Sequence, residues 1–352
     1  MKLFRFAKFQ ISKQVSHSLL QSTRNFRRSS SSSILVSMSD SDENPLAKHY
    51  RLAGIEGGPA CPQGIPIWTT NPSAVEYVFG ENTRAPASEI EPIPRLESFS
   101  TTDERANNFF KGCNPRLIKG LLSKEECERI IELSEATGYT EEAPVSLGKG
   151  IRDNEGTTWV AGEDLNDALF QRARPMLPQK RDERSEQGTG DLCGLNARWR
   201  FYKYKPNDVF RPHTDNDWPW TKMSADGKGV VRDAYDHKRR SQFTIVWYLN
   251  DDFVGGATRI YAPINLQGGY ATQQDRDNVL DQAIGWCNER LIPACDCEAS
   301  QGDALIFYHG RHPYSPVHEG CLVTSGTKYI IRTDVMYTFD DPSKALTNRF
   351  EQ

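Results

Sequence analysis

Between Asn196 and Tyr337 the sequence gathers β-branched and aromatic residues into short runs, at 196–204, 242–249, 258–261, 304–308 and 328–337. Gly255-Gly256 and Gly302-Asp303 supply turns among them. Runs of this length and composition, bounded by turn residues, read as strands. Many short strands with non-adjacent connections predict two facing sheets, a jelly roll. Two stretches interrupt the pattern. Residues 217–240 are polar and rich in Gly and Asp, and residues 264–300 contain a predicted helix from about Gln274 to Leu291.

Upstream of the strands the signals are helical. Pro115–Leu122 reads as a strand and turn. Ser123, with Glu126 three residues on, forms a capping box. Cys127, Ile130, Ile131 and Leu133 then supply an apolar face, and Gly138 ends the helix. A second helix is predicted from about Leu165 to Arg174, with Leu165, Ala168, Leu169 and Ala173 on one side. Residues 40–70 are acidic, then rich in Gly and Pro, and read as linker or loop. Residues 72–110 hold short apolar pieces among Pro86, Pro92 and Pro94 and read as an arm wrapping the domain. The fold class expected is α+β, a β-roll core at about 196–338 inside a domain at 114–340, with flanking N-terminal helices.

The first 39 residues have a different character. They hold seven basic residues (Lys2, Arg5, Lys8, Lys13, Arg24, Arg27, Arg28) and no acid, with a serine run from Ser29 to Ser33. This is the composition of a mitochondrial or plastid transit peptide, or of a disordered tail. Met38 as an internal start would give a cytoplasmic form. The whole chain has a formal charge of −4, so the body beyond residue 39 is more acidic than the total shows. An acidic body is a poor match for a nucleic-acid groove, so no nucleic-acid partner is expected. No apolar run approaches ~18 residues, so no membrane-crossing helix and no membrane partner are expected. The eight cysteines are scattered, and reduced thiols fit the compartment. Cys295-x-Cys297 lacks a second well-spaced pair and does not read as a zinc site. The sequence sets no oligomeric state.

Chemistry concentrates at Arg211-Pro212-His213-Thr214-Asp215. Pro212 argues against a helix interior. On an extended segment residues two apart face the same side, so His213 and Asp215 project together. One further imidazole would complete a 2-His-1-carboxylate facial triad, which leaves open positions on non-haem Fe(II).

Further pieces follow in a fixed order: Tyr248-Leu249-Asn250, then Gly255-Gly256-Ala257-Thr258, then Gln301-Gly302-Asp303, His318-Glu319-Gly320, and Lys328 ten residues after His318. Over roughly residues 114–338 this resembles the Fe(II)- and 2-oxoglutarate-dependent dioxygenases, most closely the prolyl 4-hydroxylase-like branch. The resemblance implies a double-stranded β-helix (jelly-roll) core and places His213, Asp215 and His318 on Fe(II). It implies Fe(II), 2-oxoglutarate and O2 as cofactor and co-substrates, with ascorbate as a further expectation. It also implies hydroxylation of a C–H bond, on a prolyl residue of a protein or on a small amino-acid-like molecule.

His309 and His312 compete with His318 for the third ligand position. His318 fits the motif, because Gly320 follows it and Lys328 stands at the implied distance; His309 reads as loop or pocket wall. His237 sits in a charged surface run, His17 in the presequence and His49 in the linker. The far carboxylate of 2-oxoglutarate wants a fixed cation. Lys328 matches the family position, and Arg332, four residues on, faces the same side of a strand. A guanidinium fork suits a carboxylate, though Arg332 could equally pair with Asp334 or an acidic substrate. Tyr204 and Tyr248 match positions where related enzymes set a phenol near the co-substrate, and Thr258 falls in the same pocket; aromatic packing inside the roll is the alternative for both tyrosines. Trp199, Trp218, Trp220 and Trp247 read as core or pocket wall.

The sequence departs from the family in the 105 residues that separate His213 from His318, lengthened by the two interruptions. Insertions beside a metal shape access, so they bear on prolyl specificity and not on the iron chemistry. Two other classes stay open at this level. One is a catalytically silent 2-oxoglutarate- and iron-binding module. The other is a metal hydrolase, which would need a water-activating base.

Overall fold

The structure, a computed structural model, describes residues 44–58, 61–81, 88–99, 103–141, 150–184, 188–227, 229–264 and 290–339. The chain divides into Met1–Glu43 and Asn44–Gln352, and the fold is that of the second unit. The basic stretch of the first 39 residues and nearly all of the helix expected at 274–291 lie outside the described residues.

In chain order the elements begin with β1 (Tyr50–Gly58), β2 (Cys61–Thr70), α1 (Ser73–Phe79), β3 (Glu89–Pro92), α2 (Glu104–Cys113), β4 (Arg116–Lys119), α3 (Lys124–Thr137), β5 (Glu155–Val160) and α4 (Glu163–Ala173). The roll follows as β6 (Leu192–Leu195), β7 (Arg198–Tyr204), β8 (Phe210–His213), β9 (Lys222–Met223), β10 (Val230–Val231), β11 (Arg239–Tyr248), β12 (Val254–Gly255), β13 (Thr258–Pro263), β14 (Leu291–Cys297), β15 (Ala304–Tyr308), β16 (His318–Gly320), β17 (Val323–Ser325) and β18 (Lys328–Thr338).

The larger sheet runs β1-β2-β5-β7-β18-β11-β15-β4-β3, with β6 also beside β18; the smaller runs β14-β13-β16-β8. From β7 onward the chain alternates between them: β7 in the large sheet, β8 in the small, β11 large, β13 and β14 small, β15 large, β16 small, β18 large. That alternation is the double-stranded β-helix. The central strands of the large sheet are buried on both faces, so they read as nearly continuous apolar runs. On β7, Trp199 and Phe201 face the helices while Tyr202 and Tyr204 face the inside of the roll. On β18, Ile331, Val335 and Tyr337 face outward and Ile330 inward.

The outward face is covered by α1, α3 and α4. Ser123 and Glu126 form the expected capping box, and Gly138 caps the C-terminus. Cys127, Ile130 and Leu133 pack with Leu165 and Leu169 of α4 onto Trp159, Trp199 and Trp247. At ~25 cal/mol per Å2, each such buried aromatic contributes roughly 4–6 kcal/mol of gross transfer free energy. Glu126 also takes a two-pronged ion pair from the buried Arg172, at 2.7 and 2.8 Å, which ties α3 to α4.

Three expectations need correction. Residues 50–58 and 61–70 are not linker or loop: they form the paired strands of the β1–β2 hairpin, the second of which pairs in parallel with β5. Prolines and glycines hid this strand. Pro66 falls just before the three residues that pair with β5, so its missing donor costs nothing on that side. His49, at the hairpin's entry, is correspondingly buried, bonded to Ser73 Oγ at 3.0 Å and stacked on Tyr77. The second interruption is shorter than expected, because Leu291–Cys297 is β14, paired with β13. Its Ile292, Ala294, Cys295 and Cys297 line the roll's interior, which accounts for two of the scattered cysteines as core. The stretch read as a wrapping arm, 72–110, contributes a strand paired to β4 and, running on to Cys113, a helix against β13. Among the described residues no helix is long and apolar enough to cross a membrane.

Candidate active site

β8 and β16 are neighbours in the small sheet, and His213 pairs in register with His318. Their rings lie 4.3 Å apart. Asp215, just past β8, places Oδ1 3.8 Å from His213 Nε2 and Oδ2 3.6 Å from His318 Nε2. One ligand atom from each of the three lies within 4.8 Å of the others, all three residues are buried, and this is the only such group among the described residues. The sequence motif therefore does converge, and His318 is the imidazole that joins it.

The ring tautomers suit a cation. His213 Nδ1 lies 2.8 Å from the Arg211 carbonyl, and His318 Nδ1 lies 3.3 Å from the Pro316 carbonyl. A carbonyl can only accept, so each Nδ1 carries the proton and each Nε2 turns a lone pair toward Asp215. Burial drives His213 well below the usual imidazole range, with the neighbouring His318 adding to the shift. Burial also lowers His318. Both rings are thus neutral donors at pH 7. For Asp215 burial works upward, but Arg332, His318 and His213 outweigh it and hold the carboxyl below the ordinary range. Two neutral imidazoles and one carboxylate, packed against the rings of Phe210 and Phe307, are the donor set that suits Fe(II).

Deeper in the roll a second constellation surrounds Lys328. Its side chain is 2% exposed and makes no ion pair with any described residue. Its ammonium donates to the Gly256 carbonyl and sits 5.2 Å from the ring of Tyr248, 5.6 Å from that of Tyr204 and 5.8 Å from that of Phe253. Burial pulls the ammonium down to about 8. Tyr248 and Thr258 share a hydroxyl–hydroxyl bond of 2.7 Å beside it. Gly256 has φ +66°, and a Cβ there would come within 3.3 Å of Lys328 Cδ, so the glycine pair leaves passage for the lysine stem. A buried cation without a counter-charge, beside hydroxyls, is a seat for a carboxylate.

Arg332 parts company with Lys328. It shares the inner face, as expected, but its guanidinium reaches Asp215 Oδ1 at 2.9 Å, with Asp334 at 3.8 Å. Asp334 itself is held by Arg200 at 2.9 Å. His309 is buried, bonded to Thr244 and Ser241. His312 stacks on Tyr308, and His237 pairs with Asp233 near the surface. Trp199 and Trp247 are core. Trp218 lies beside Arg198 and Arg200, and Trp220 packs on Tyr235.

Sequence reasoning missed Thr244, His309 as more than wall, Phe210, and Arg152, whose guanidinium covers Tyr202 and Phe210. One signal for Thr244 was available: a hydroxyl on the inward-facing alternation of the otherwise apolar stretch Phe243–Tyr248.

Residues 199–333 match the profile described as the 2OG-Fe(II) oxygenase superfamily. No curated protein matches the chain. Similar solved structures include a viral collagen prolyl hydroxylase from Paramecium bursaria Chlorella virus-1 in complex with 2-oxoglutarate, at 17% identity over 65% of this chain and 98% of that one, TM-score 0.38. A Pseudomonas putida prolyl-4-hydroxylase follows at 14% identity, over 67% and 97%, TM-score 0.33. A Trichoplax adhaerens prolyl hydroxylase, in complex with a hypoxia inducible factor peptide fragment, stands at 14% over 72% and 100%, TM-score 0.39. The matched stretch runs from β7 into β18 and contains all three candidate metal-binding side chains, so it is this part of the chain that carries the sequence pattern of the 2OG-Fe(II) oxygenase superfamily.

Proposed function

We propose that the protein hydroxylates an unactivated C–H bond, with a prolyl residue of a protein as the favoured substrate and a free amino acid or similar small molecule as the next. The observation that carries the reading is the pairing of two sites in one roll: a neutral-imidazole and carboxylate triad, and a buried lysine that finds no counter-charge among the described residues. The prolyl preference rests on the sequence order Tyr-Leu-Asn, Gly-Gly-x-Thr and a lysine ten residues after the last histidine.

In this reading His213, Asp215 and His318 hold Fe(II), which with 2-oxoglutarate and O2 supplies the oxidising power. The rest is done by the chain. Lys328 takes the distal carboxylate of 2-oxoglutarate, and Tyr248, Thr258 and Tyr204 shape the seat around it. Phe210 and Phe307 keep water from the faces of the two imidazoles. Arg332 braces Asp215 and stays out of the co-substrate seat. Arg152 lies over Tyr202 and Phe210, and Phe210 in turn stacks on His213. Ascorbate as an accessory reductant, and import into a mitochondrion or plastid by residues 1–39, are part of the same proposal and rest on sequence resemblance and composition.

The test is a turnover screen of the purified chain with Fe(II), 2-oxoglutarate, and prolyl peptides or free amino acids, reading succinate and a product heavier by one oxygen. Substrate-linked succinate that disappears in His213→Ala, Asp215→Ala and His318→Ala supports the assignment. Unchanged turnover in any of these variants overturns it. Binding of Fe(II) and 2-oxoglutarate with no succinate across the whole panel would instead favour the silent binding module.

A further inference from the structure

Asp215 is held from both sides. Arg332 Nη1 reaches Oδ1 at 2.9 Å, and the Thr244 hydroxyl reaches Oδ2 at 2.7 Å. Behind Thr244 lies a chain of polar groups that leaves the site altogether. Thr244 Oγ1 is 2.9 Å from His309 Nδ1, His309 Nε2 is 2.8 Å from Ser241 Oγ, and Ser241 Oγ accepts the Trp218 backbone N–H at 2.7 Å. Ser241 and Thr244 are 0% exposed and His309 is 1% exposed, so solvent cannot replace any link.

Counting protons fixes the direction of every bond. Asp215 is ionised and can only accept, so the Thr244 hydroxyl donates to it. That hydroxyl has then spent its proton, and must accept from His309 Nδ1–H. Asp334 Oδ1, 3.8 Å from the same Nδ1, favours the proton there. Burial pulls the His309 ring down to about 4, so the ring is neutral and Nε2 is an acceptor. Ser241 therefore donates to Nε2 and accepts from Trp218. The chain runs one way, from a backbone amide to the carboxylate, with every donor in it used.

The backbone repeats the connection. Gly310 N–H donates to the Asp215 carbonyl at 2.8 Å. Gly310 has φ +64°, and a Cβ would stand 2.7 Å from Asp217 Cβ, so only glycine lets the His309 segment close on Asp215. His309 and Gly310 thus grip one residue by its side chain, through Thr244, and by its main chain.

We infer that His309 is a positioning residue for the iron-binding carboxylate, acting through Thr244, and that its Nδ1–H tautomer is the functional one. The inference rests on the reading of His213, Asp215 and His318 as the Fe(II) site. Groups that orient metal ligands in this way typically change metal affinity by roughly 10–100-fold when removed.

The experiment titrates Co(II), a surrogate stable in air, into the 352-residue chain without 2-oxoglutarate. It follows affinity and the d–d absorption band, and records thermal stability in parallel. Thr244→Val keeps the shape and removes the hydroxyl. His309→Leu removes the donor, and His309→Asn returns an N–H near the Nδ1 position. The expected result is affinity weakened about tenfold or more and a shifted band in Thr244→Val and His309→Leu. His309→Asn should recover to within about threefold of the parent. Wild-type affinity and spectrum in Thr244→Val overturn the inference, whatever happens to stability, because a merely structural bond would move the melting temperature alone. Equal loss in His309→Asn and His309→Leu overturns the tautomer. Should His309→Leu fail to fold, Thr244→Val decides. Failure of the unmodified chain to bind Co(II) strikes the iron reading itself and so separates that outcome from the others.

Discussion

The two ends of the roll's interior treat buried charge in opposite ways. At the triad end every charge is answered: Asp215 by Arg332 and Thr244, Asp334 by Arg200. At the other end Lys328 is buried as deeply and meets a carbonyl, aromatic faces and hydroxyls, with no acid among the described residues. The first arrangement keeps a geometry fixed before any metal arrives. The second is a standing cost in the free protein, relieved when an anion enters. One end is built to be ready and the other to be completed.

The largest expected effect lies at the braced end. Asp215→Ala should abolish succinate production and lower stability by about 3–5 kcal/mol, since Arg332 loses the partner that offsets its burial; urea unfolding measures the second. Lys328→Met should raise the KM for 2-oxoglutarate by at least about 30-fold, from the roughly 2–5 kcal/mol that a buried charge contact supplies. The same variant should leave the melting temperature of the free protein unchanged or higher, because an unpaired buried charge has gone. A lowered melting temperature would break the contrast between the two ends.

Next comes pH. Burial depresses the Lys328 ammonium to about 8, so the free protein loses the charge as pH rises through that value. Affinity for 2-oxoglutarate should therefore be full below about pH 8 and fall above it. Binding at higher pH should take up a proton, which calorimetry in buffers of different ionisation enthalpy would detect. In Lys328→Met both effects should vanish. The smallest expected change is Tyr248→Phe: loss of its bond to Thr258 should cost about 0.5–1.5 kcal/mol, a rise of up to roughly tenfold in the same KM.

Much of this was legible in the sequence, for reasons specific to each part. His213 and Asp215 were readable because two residues on an extended segment share a side. His318 needed the order of motifs around it, since its nearness to His213 comes from β8 lying beside β16, a long-range pairing that local pattern does not encode. The capping box at Ser123 was readable because its two bonds lie within four residues. The hairpin at 50–70 was not, because its strands carry prolines and glycines and are stabilised by neighbours far along the chain. Arg332 was placed on the correct face, but a strand's period says nothing of which inward group a long side chain reaches. Thr244 and His309 were invisible as a pair for the same reason: one lies on β11 and the other just past the end of the neighbouring β15, 65 residues away.

The hairpin has a practical consequence. Glu56, on β1, receives Arg198 of β7 at 2.7 Å and also pairs with Arg232 from the stretch at 217–240, while β2 covers the outer edge of β5. Recombinant fragments trimmed to the matched region, starting near Trp199, would drop the carboxylate that neutralises Arg232. Fragments starting near Asn114 would lose it too, and would also bare a row of unsatisfied amides and carbonyls on β5, an adhesive border through which molecules stick to one another. Expression boundaries drawn at Asn44 rather than at the motif edges should yield the dispersed, assayable protein.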